Sequence, residues 1–252
     1  MLLFLRQLQD EVVMLKVVAV LATLCTAGCS SITRVEYSQI SPQRGQAPQN
    51  TQMVKAAEHV GSSGTSPVLL RIFKEEHELE LWRKDRTGRY VLVHTFEVCR
   101  YSGVLGPKRQ QGDRQAPEGF YTITAGQLNY NSIAYLSIDT GYPNLRDRAN
   151  GYTGSALMIH GGCSSAGCYA IEDRPMQDLF AAVRDAVRAG QREVQLHIFP
   201  FRMTTWNMVA HNRDPNYDFW VQLKRGYDIF GWDYQDLNVT VMNGRYVVTT
   251  AR

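Results

Sequence analysis

The sequence predicts a mostly β fold with a few helices (α+β class), folded as a single domain behind an N-terminal leader. Two observations carry this prediction: short alternating apolar runs recur from Val68 onward, and one segment after Asp173 repeats its apolar residues at helical spacing. The chain of 252 residues is 44% apolar and 10% aromatic, which is enough for one sizeable core. A net charge of +3 without a dense basic stripe gives no reason to expect a nucleic-acid partner.

The N-terminal segment has the pattern of a lipoprotein signal. Residues 17–26 (VVAVLATLCT) form an apolar run too short to span a bilayer, preceded by Lys16 and followed by the tripeptide AGC that ends at Cys29. This arrangement resembles the bacterial lipobox, in which the cysteine is lipidated. We therefore expect residues 1–29 to be a signal peptide, with the true start at Met14. The alternative is a buried core helix, which the lack of amphipathic spacing disfavours.

A polar tether is predicted to follow the signal. Residues 30–67 are rich in Ser, Gln, Gly, Thr and Pro, with a helical turn expected near residues 54–59. Because Ser30 rather than Asp follows the cysteine, the lipobox pattern indicates the outer membrane of a Gram-negative cell. Acyl chains on Cys29 would hold the protein to the lipid on the periplasmic side. The folded domain is expected over residues 68–252.

The elements of the domain follow from periodicity and turn residues. The predicted strands are 68–73 (VLLRIF), 78–84 (ELELWRK), 90–98 (YVLVHTFEV), 119–124 (GFYTIT), 134–138 (AYLSI), 155–160 (SALMIH) and 194–201 (VQLHIFPF). A helix over residues 176–190 is predicted, with Asp173 as its N-cap, Pro175 in its first turn and Gly190 as its stop. Short helices over 204–210 and 216–224 and a hairpin over 237–248 with an Asn243-Gly244 turn complete the chain.

The segment 158–172 (MIHGGCSSAGCYAIE) carries the chemistry. A strand ends in His160, a loop of small residues follows, and Cys168 closes the loop before a helical region. A catalytic thiol needs a base within hydrogen-bond reach and amide donors for the developing oxyanion. His160 can hold the thiol as thiolate and lower its pKa from the free value near ~8.5. A buried Cys and a packed His are the alternative, but their pairing within one loop favours catalysis.

Several ordered motifs match a known family. The sequences IHG, ending at Gly161, and SAGC, ending at Cys168, resemble the signature of the L,D-transpeptidases of the YkuD fold. Further segments resemble the YafK-like branch of that family: YSGVLGPKR at 101–109, QGD at 111–113, APEGFY at 116–121, GYPN at 141–144 and HIFPFRM at 197–203. The similarity covers residues 68–213. It implies a YkuD-like domain with the architecture of a β-sandwich or barrel.

The resemblance implies acyl transfer on peptidoglycan stem peptides. Cys168 would attack the carbonyl of a meso-diaminopimelate residue to form a thioester, and His160 would pass the thiol proton to the leaving amine. The backbone carbonyl of Gly161 would orient the imidazole, and amides near Gly167 and Cys168, in the loop that holds Ser165, would form the oxyanion hole. An amine resolving the thioester makes the enzyme a transpeptidase. Water makes it a hydrolase, which would trim crosslinks or detach a wall-linked lipoprotein.

The family pattern is not matched everywhere, so several assignments stay open. Ala170 stands where many relatives carry Arg, and the spacing of eight residues from His160 to Cys168 is shorter than in many of them. Candidates for substrate binding are Tyr101, Ser102 and Gly103 beside the site, and Lys108, Arg109 and Arg202 for a substrate carboxylate. For each of the three cations a solvated surface charge is the alternative. A catalytically silent wall-binding lipoprotein is the third functional hypothesis, and the intact His and Cys count against it.

The remaining cysteines allow one disulfide in the domain. Cys163 also lies in the loop, but the SAGC context favours Cys168 as the nucleophile. In an oxidising periplasm Cys163 can pair with Cys99, which would leave one free thiol. The sequence leaves this pairing open because the Cα separation is not visible from it. No zinc-type spacing, P-loop or dinucleotide fingerprint is present in the sequence, so neither a metal nor a cofactor is predicted.

Overall fold

The computed structural model describes residues 49–251 of the chain. The predicted signal peptide at residues 1–29, including Met14 and the lipidation site Cys29, and residues 30–48 of the predicted tether lie outside the described residues. Among those described, no helix combines the length and apolar character that crossing a bilayer requires.

The described part of the chain contains a few helices and many strands. In chain order the helices are α1 (Thr51–His59), α2 (Leu145–Ala149), α3 (Asp173–Arg188), α4 (Thr205–Ala210) and α5 (Tyr217–Asp233). The strands are β1 (Val68–Phe73), β2 (Glu78–Lys84), β3 (Tyr90–Glu97), β4 (Arg100–Tyr101), β5 (Gly119–Ile123), β6 (Leu128–Asn129), β7 (Ser137–Asp139), β8 (Met158–His160), β9 (Tyr169–Ala170), β10 (Val194–Phe199), β11 (Leu237–Met242) and β12 (Arg245–Thr250). The predicted class, mostly β with a few helices, is confirmed.

The strands form two five-stranded sheets and a hairpin. The first sheet has the order β3-β2-β1-β10-β5, the second has the order β4-β9-β8-β7-β6, and β11 pairs with β12. Most neighbours are antiparallel, but β1 runs parallel to β10 and β8 runs parallel to β9. Only residues 161–168 connect β8 to the adjacent β9, although parallel neighbours usually need a dozen or more residues. The connection fits because both strands are very short.

Strand β1 separates two apolar cores. All six of its residues are buried, as expected for a strand covered on both faces. Leu70 and Ile72 belong to the core that includes α3 and the second sheet. Leu69 and Phe73 belong to a core rich in aromatic rings from β10, α5 and the hairpin. Because successive side chains of a strand point to opposite faces, β1 contributes residues to both cores.

Helix α1 packs on the domain, so residues 49–67 belong to the folded unit rather than to a tether. Met53 and Ala57 are buried, and the Gln49 side chain accepts a hydrogen bond of 2.8 Å from Arg83. The predicted helical turn is a helix of nine residues. Composition could not show this packing, because the helix has four apolar residues and nothing in the sequence marks Met53 and Ala57 as the two that are buried.

Some elements differ in length from their sequence prediction. β7 and β8 are shorter than predicted because Tyr135 and Ala156 have positive φ angles of 71° and 57°, which interrupt extended backbone. Helix α3 begins at Asp173, and α5 continues nine residues past the predicted end at Lys224 to Asp233. The predicted hairpin turn is confirmed, since Asn243 and Gly244 both have positive φ angles.

Candidate active site

One face of the second sheet gathers the predicted nucleophile and base. Ser137 pairs with His160, and Asp139 pairs with Met158 across β7 and β8. Paired residues, and alternate residues along a strand, point to the same side of a sheet. These four side chains therefore share one face with Cys168, which lies two residues before Ala170, the partner of His160 on β9. We call Ser137, Asp139, Met158, His160 and Cys168 the site face.

The opposite face of the same strands is apolar. Ile138, Ile159 and Tyr169 alternate with the site face and are fully buried in the core beside α3. Cys168 immediately precedes β9, the strand next to that of His160, and lies two residues before Ala170, the residue that pairs with His160. Ideal strand spacing and rise give about 8 Å between such Cα atoms, a separation that an imidazole and a thiol can bridge.

The Cys168 thiol is partly shielded from solvent and contacts backbone groups. The Met158 amide donates to its sulfur at 3.4 Å, and the thiol faces the Ala156 carbonyl oxygen at 3.8 Å. Burial raises the pKa of the Cys168 thiol, the Met158 amide lowers it, Asp139 raises it and Lys108 lowers it, with a net increase. The sequence-based expectation of a lowered thiol pKa is therefore wrong for the resting protein, because desolvation disfavours the thiolate.

The imidazole of His160 is held by the next residue's backbone. Its Nδ1 lies 2.5 Å from the carbonyl oxygen of Gly161, the contact that the family resemblance implies. A carbonyl oxygen can only accept, so Nδ1 carries the hydrogen and Nε2 is left as the base. Gly161 has no room for a side chain, since an added Cβ would lie 2.5 Å from Asp173 Oδ1 and 2.9 Å from the Ala134 oxygen.

Ser165 holds the turn that precedes Cys168. Its hydroxyl donates to the Cys168 carbonyl oxygen at 2.7 Å and accepts from the amides of Cys168 at 3.1 Å and Gly167 at 3.4 Å. The two amides predicted for the oxyanion hole are thus engaged inside the loop. They become available to a substrate oxygen only if Ser165 releases them.

Two further contacts fasten the loop to its surroundings. Cys99 and Cys163 form a disulfide with a Cα–Cα distance of 5.8 Å, so Cys168 is the free cysteine of the described domain. The Gly162 amide donates to Asp173 Oδ1 at 2.8 Å. Asp173 therefore anchors the loop instead of capping α3; the N-cap position is held by Glu172, whose side chain makes no capping hydrogen bond.

The segment after β4 borders the loop as predicted from the sequence. The hydroxyls of Ser102 and Ser165 are 3.2 Å apart, and Tyr101 pairs with Tyr169 next to the nucleophile. Gly103 has a φ of 86°, and an added Cβ would lie 2.0 Å from a side-chain oxygen of Gln115. A glycine is therefore required where this segment turns.

One of the three candidate cations, Lys108, is buried and engaged by a carboxylate of the chain. The buried ammonium group of Lys108 forms an ion pair with the partly exposed Asp113 and donates to the Gln110 carbonyl oxygen at 2.8 Å. Partial burial raises the pKa of the Asp113 carboxyl, but hydrogen bonds from the Gln110 amide and Lys108 outweigh this effect and lower the pKa to about 2. Lys108 is therefore neither a solvated charge nor free for a substrate carboxylate.

The other two candidate cations, Arg109 and Arg202, are more exposed than Lys108. Arg202 binds Glu78 and, at 2.8 Å, Glu80 of β2, so it too is engaged. Arg109 is exposed and donates to the Asn216 side chain at 2.8 Å. Of the three, Arg109 alone retains an exposed charge without a carboxylate partner in residues 49–251.

Sequence reasoning missed two members of the site face. Asp139 acts electrostatically on the thiol, and Ser137 is a fully buried serine whose hydroxyl has no hydrogen-bond partner within the described residues. No local signal marks either, since both reach the site through strand pairing. Within residues 49–251, no group of three or more His, Cys, Asp or Glu side chains is arranged to hold a metal ion.

Two solved structures share part of this architecture. The helical cell shape determining protein Pgp2 from Campylobacter jejuni is 17% identical, with a TM-score of 0.43 over 75% of this chain and 82% of its own. Bd1075 from Bdellovibrio bacteriovorus is 19% identical, with a TM-score of 0.38 over 54% of this chain and 49% of its own.

The sequence comparisons are more specific. The family model of the YkuD L,D-transpeptidase catalytic domain matches residues 67–194. The YafK proteins of Escherichia coli strains K12 and O157:H7, whose names assign them provisionally to the L,D-transpeptidases, are each 48% identical over 184 residues, covering 73% of this chain and 74% of theirs. The chain therefore belongs to the YkuD L,D-transpeptidase catalytic domain family, whose members act on peptidoglycan.

Proposed function

We propose that this protein is a cysteine acyltransferase of L,D-transpeptidase type that acts at meso-diaminopimelate in peptidoglycan stem peptides. The observation that carries the proposal is the shared face of Cys168 and His160, with the imidazole fixed by the Gly161 carbonyl. Family membership supports the substrate class. The intact pair disfavours a silent wall-binding protein.

The proposed first half-reaction forms a thioester. His160 Nε2 takes the proton of the Cys168 thiol as the sulfur attacks the carbonyl carbon of diaminopimelate. The carbon–nitrogen bond then breaks, and the leaving amine receives the proton from the imidazolium. Because burial raises the pKa of the Cys168 thiol, proton transfer to His160 accompanies attack on the substrate in this scheme. The Met158 amide, already directed at the sulfur, stabilises its negative charge.

The second half-reaction decides between transfer and hydrolysis. An acceptor amine that loses a proton to His160 gives a new crosslink, and a water molecule gives the free acid. Hydrolysis is the second candidate function because Ala170, the neighbour of His160 on β9, leaves this position without a cation to hold an acceptor. Its products would be trimmed crosslinks or a lipoprotein released from the wall.

Mass analysis of muropeptides after incubation with the purified protein separates these functions. New crosslinks indicate transfer, and loss of existing crosslinks indicates hydrolysis. We expect Cys168→Ala to abolish either activity, whereas Cys163→Ala should retain measurable turnover because that sulfur is tied up in the disulfide. Turnover that survives Cys168→Ala, or binding without any product, would contradict the proposal.

We also propose that the protein is lipid-anchored through Cys29 and faces the periplasm from the outer membrane. The lipobox pattern in the sequence supports this. Changing Cys29→Ser should move the protein from the membrane fraction to the supernatant, since membrane affinity depends on the acyl chains. The matched control is Cys25→Ser, in the apolar run, which should still sediment with membranes. Equal sedimentation of both variants would contradict the anchor.

A further inference from the structure

Ser137 lies next to the predicted base and has no task in the resting site. It pairs directly with His160 across β7 and β8, and directly paired side chains have Cβ atoms about 5 Å apart. Its side chain is completely buried, and its hydroxyl oxygen has no hydrogen-bond partner in the described part of the chain.

An unpaired buried hydroxyl is unfavourable for folding. Alanine at this position would fill nearly the same space without leaving a polar atom unsatisfied. Such exceptions concentrate at functional sites, where a group is unsatisfied in one state and satisfied in another. The Ser137 hydroxyl is therefore expected to gain a partner in another state of the site.

The arrangement of strands suggests that state. β8 lies between β7 and β9, so His160 has Ser137 on one side and the Cys168 segment on the other. In the neutral imidazole, Nδ1–H is taken by Gly161 and Nε2 offers only a lone pair. Once the ring takes the thiol proton it carries a positive charge in a shielded place, where a hydroxyl oxygen interacts favourably with it.

We propose that Ser137 is a positioning residue for His160. The hydroxyl oxygen of Ser137 stabilises the imidazolium that forms when Cys168 loses its proton to His160. The proposal rests on the proposed acyl-transfer function and adds a residue to that site. Ser137 touches neither the reacting carbonyl nor the sulfur, and it acts through the imidazole.

Other charges near His160 must be held constant in any test. They are Asp139 on β7, Cys168 before β9, Asp173 at the start of α3, Lys108 after β4 and Arg100 on β4, whose partner on β9 is Ala170. Ser137→Ala alters none of these groups. A change in the pH dependence of Cys168 reactivity would therefore report the loss of the hydroxyl.

The test measures the alkylation rate of Cys168 by iodoacetamide as a function of pH, on full-length protein. Removing the hydroxyl should destabilise the thiolate–imidazolium pair, so in Ser137→Ala the midpoint of the rate profile should rise by ~0.5–1 pH unit. Turnover of muropeptides should fall by about 3- to 10-fold, the factor that corresponds to a shift of this size. Ser137→Thr, which keeps a hydroxyl, should restore the wild-type midpoint.

Thermal unfolding gives a second readout that a structural role would not reproduce. Ser137→Ala should melt at the wild-type temperature or above it, although it is less active. The control Ser62→Ala removes a hydroxyl that donates to the Lys84 carbonyl oxygen at 2.8 Å, and it should melt lower with an unchanged alkylation midpoint. A lower melting temperature of Ser137→Ala with no midpoint shift would overturn the proposal.

A His160→Ala background separates this proposal from the proposed function. If Ser137 acts through the imidazole, Ser137→Ala should shift the midpoint in the wild type and produce no shift when His160 is already Ala. A shift that persists without the imidazole would overturn the role of Ser137. Absence of any muropeptide turnover in the wild type would instead contradict the acyl-transfer function, while the alkylation data still report on Ser137.

Discussion

The orientation of the base depends on backbone atoms rather than on a carboxylate side chain. His160 Nδ1 binds the Gly161 carbonyl, and the space for that glycine is bounded by Asp173 and the Ala134 carbonyl. Asp173 also accepts from the Gly162 amide, so one carboxylate fixes the two residues after the base. The orientation of His160 therefore depends on two glycines, Gly161 and Gly162, that let the backbone pass close to Asp173.

Motif reading singled out His160 and Cys168 because both stand in one short segment with strong composition signals. It could not find Ser137, since a single serine in a predicted strand of 134–138 has no distinguishing context. It also expected a lowered pKa for Cys168, because the sequence shows the neighbouring histidine but not the burial that raises that pKa. Burial is a property of the folded chain.

Asp147 leads to a prediction for stability as a function of pH. Burial raises its pKa to about 6, although hydrogen bonds from Asn144 and Tyr121 oppose the shift. The folded state therefore binds a proton more tightly than the unfolded state, so this group's contribution to stability is present below about pH 4 and is lost as pH rises towards 6. The loss should be ~2–3 kcal/mol.

Urea unfolding of the wild type and of Asp147→Asn between pH 4 and 7 checks this. The amide keeps an acceptor oxygen but cannot ionise, so the stability difference between the two proteins should grow in favour of the variant as pH rises through this window. Parallel curves for the two proteins would contradict the assignment.

At the scale of elements, the loop 161–168 is the unusual feature. It joins adjacent parallel strands with few residues, and the positive φ angles of Gly162 and Gly167, 66° and 127°, allow it to turn back over that distance. The strands themselves could be located from alternation, and β1, β2 and β10 begin where predicted. The pairing partners of these strands could not be predicted, since β1 pairs with β10, whose residues lie more than a hundred positions later in the chain.

The Cys99–Cys163 disulfide should stabilise both the domain and this loop. With a sequence separation of 64, loop closure in the unfolded chain predicts ~4 kcal/mol of stabilisation. The double variant Cys99→Ser/Cys163→Ser should therefore unfold at lower urea concentration and lose part of its turnover, because the loop holding Cys168 is no longer fastened at Cys163. Cys168→Ser, which keeps the disulfide, is the matched control for stability.

Reduction provides the corresponding measurement on the wild type. Dithiothreitol should lower the unfolding midpoint of the wild type and of Cys168→Ser equally, and should leave that of the double variant unchanged. A wild-type midpoint insensitive to complete reduction would contradict a stabilising role for this bond.

At the scale of the whole molecule, buried polar contacts connect the first sheet and α5 to the segment between Tyr101 and Glu118. Lys74 at the end of β1 pairs with Glu118 at 2.9 Å and donates to the Gly106 carbonyl oxygen at 3.0 Å, in the segment that borders the nucleophile. Trp220 of α5 donates to the same carboxylate at 2.9 Å. Removing either Lys74 or Glu118 would leave an unpaired buried charge, so this network holds the Tyr101–Glu118 segment against both cores.

The proposed function requires that a peptidoglycan stem peptide acylates Cys168. Intact-protein mass spectrometry after rapid mixing with a diaminopimelate-containing muropeptide detects this intermediate. We expect a mass increase equal to the acyl fragment, located on Cys168, released by hydroxylamine and absent from Cys168→Ala. Product formation without any adduct at Cys168, or with the adduct on another residue, would contradict it.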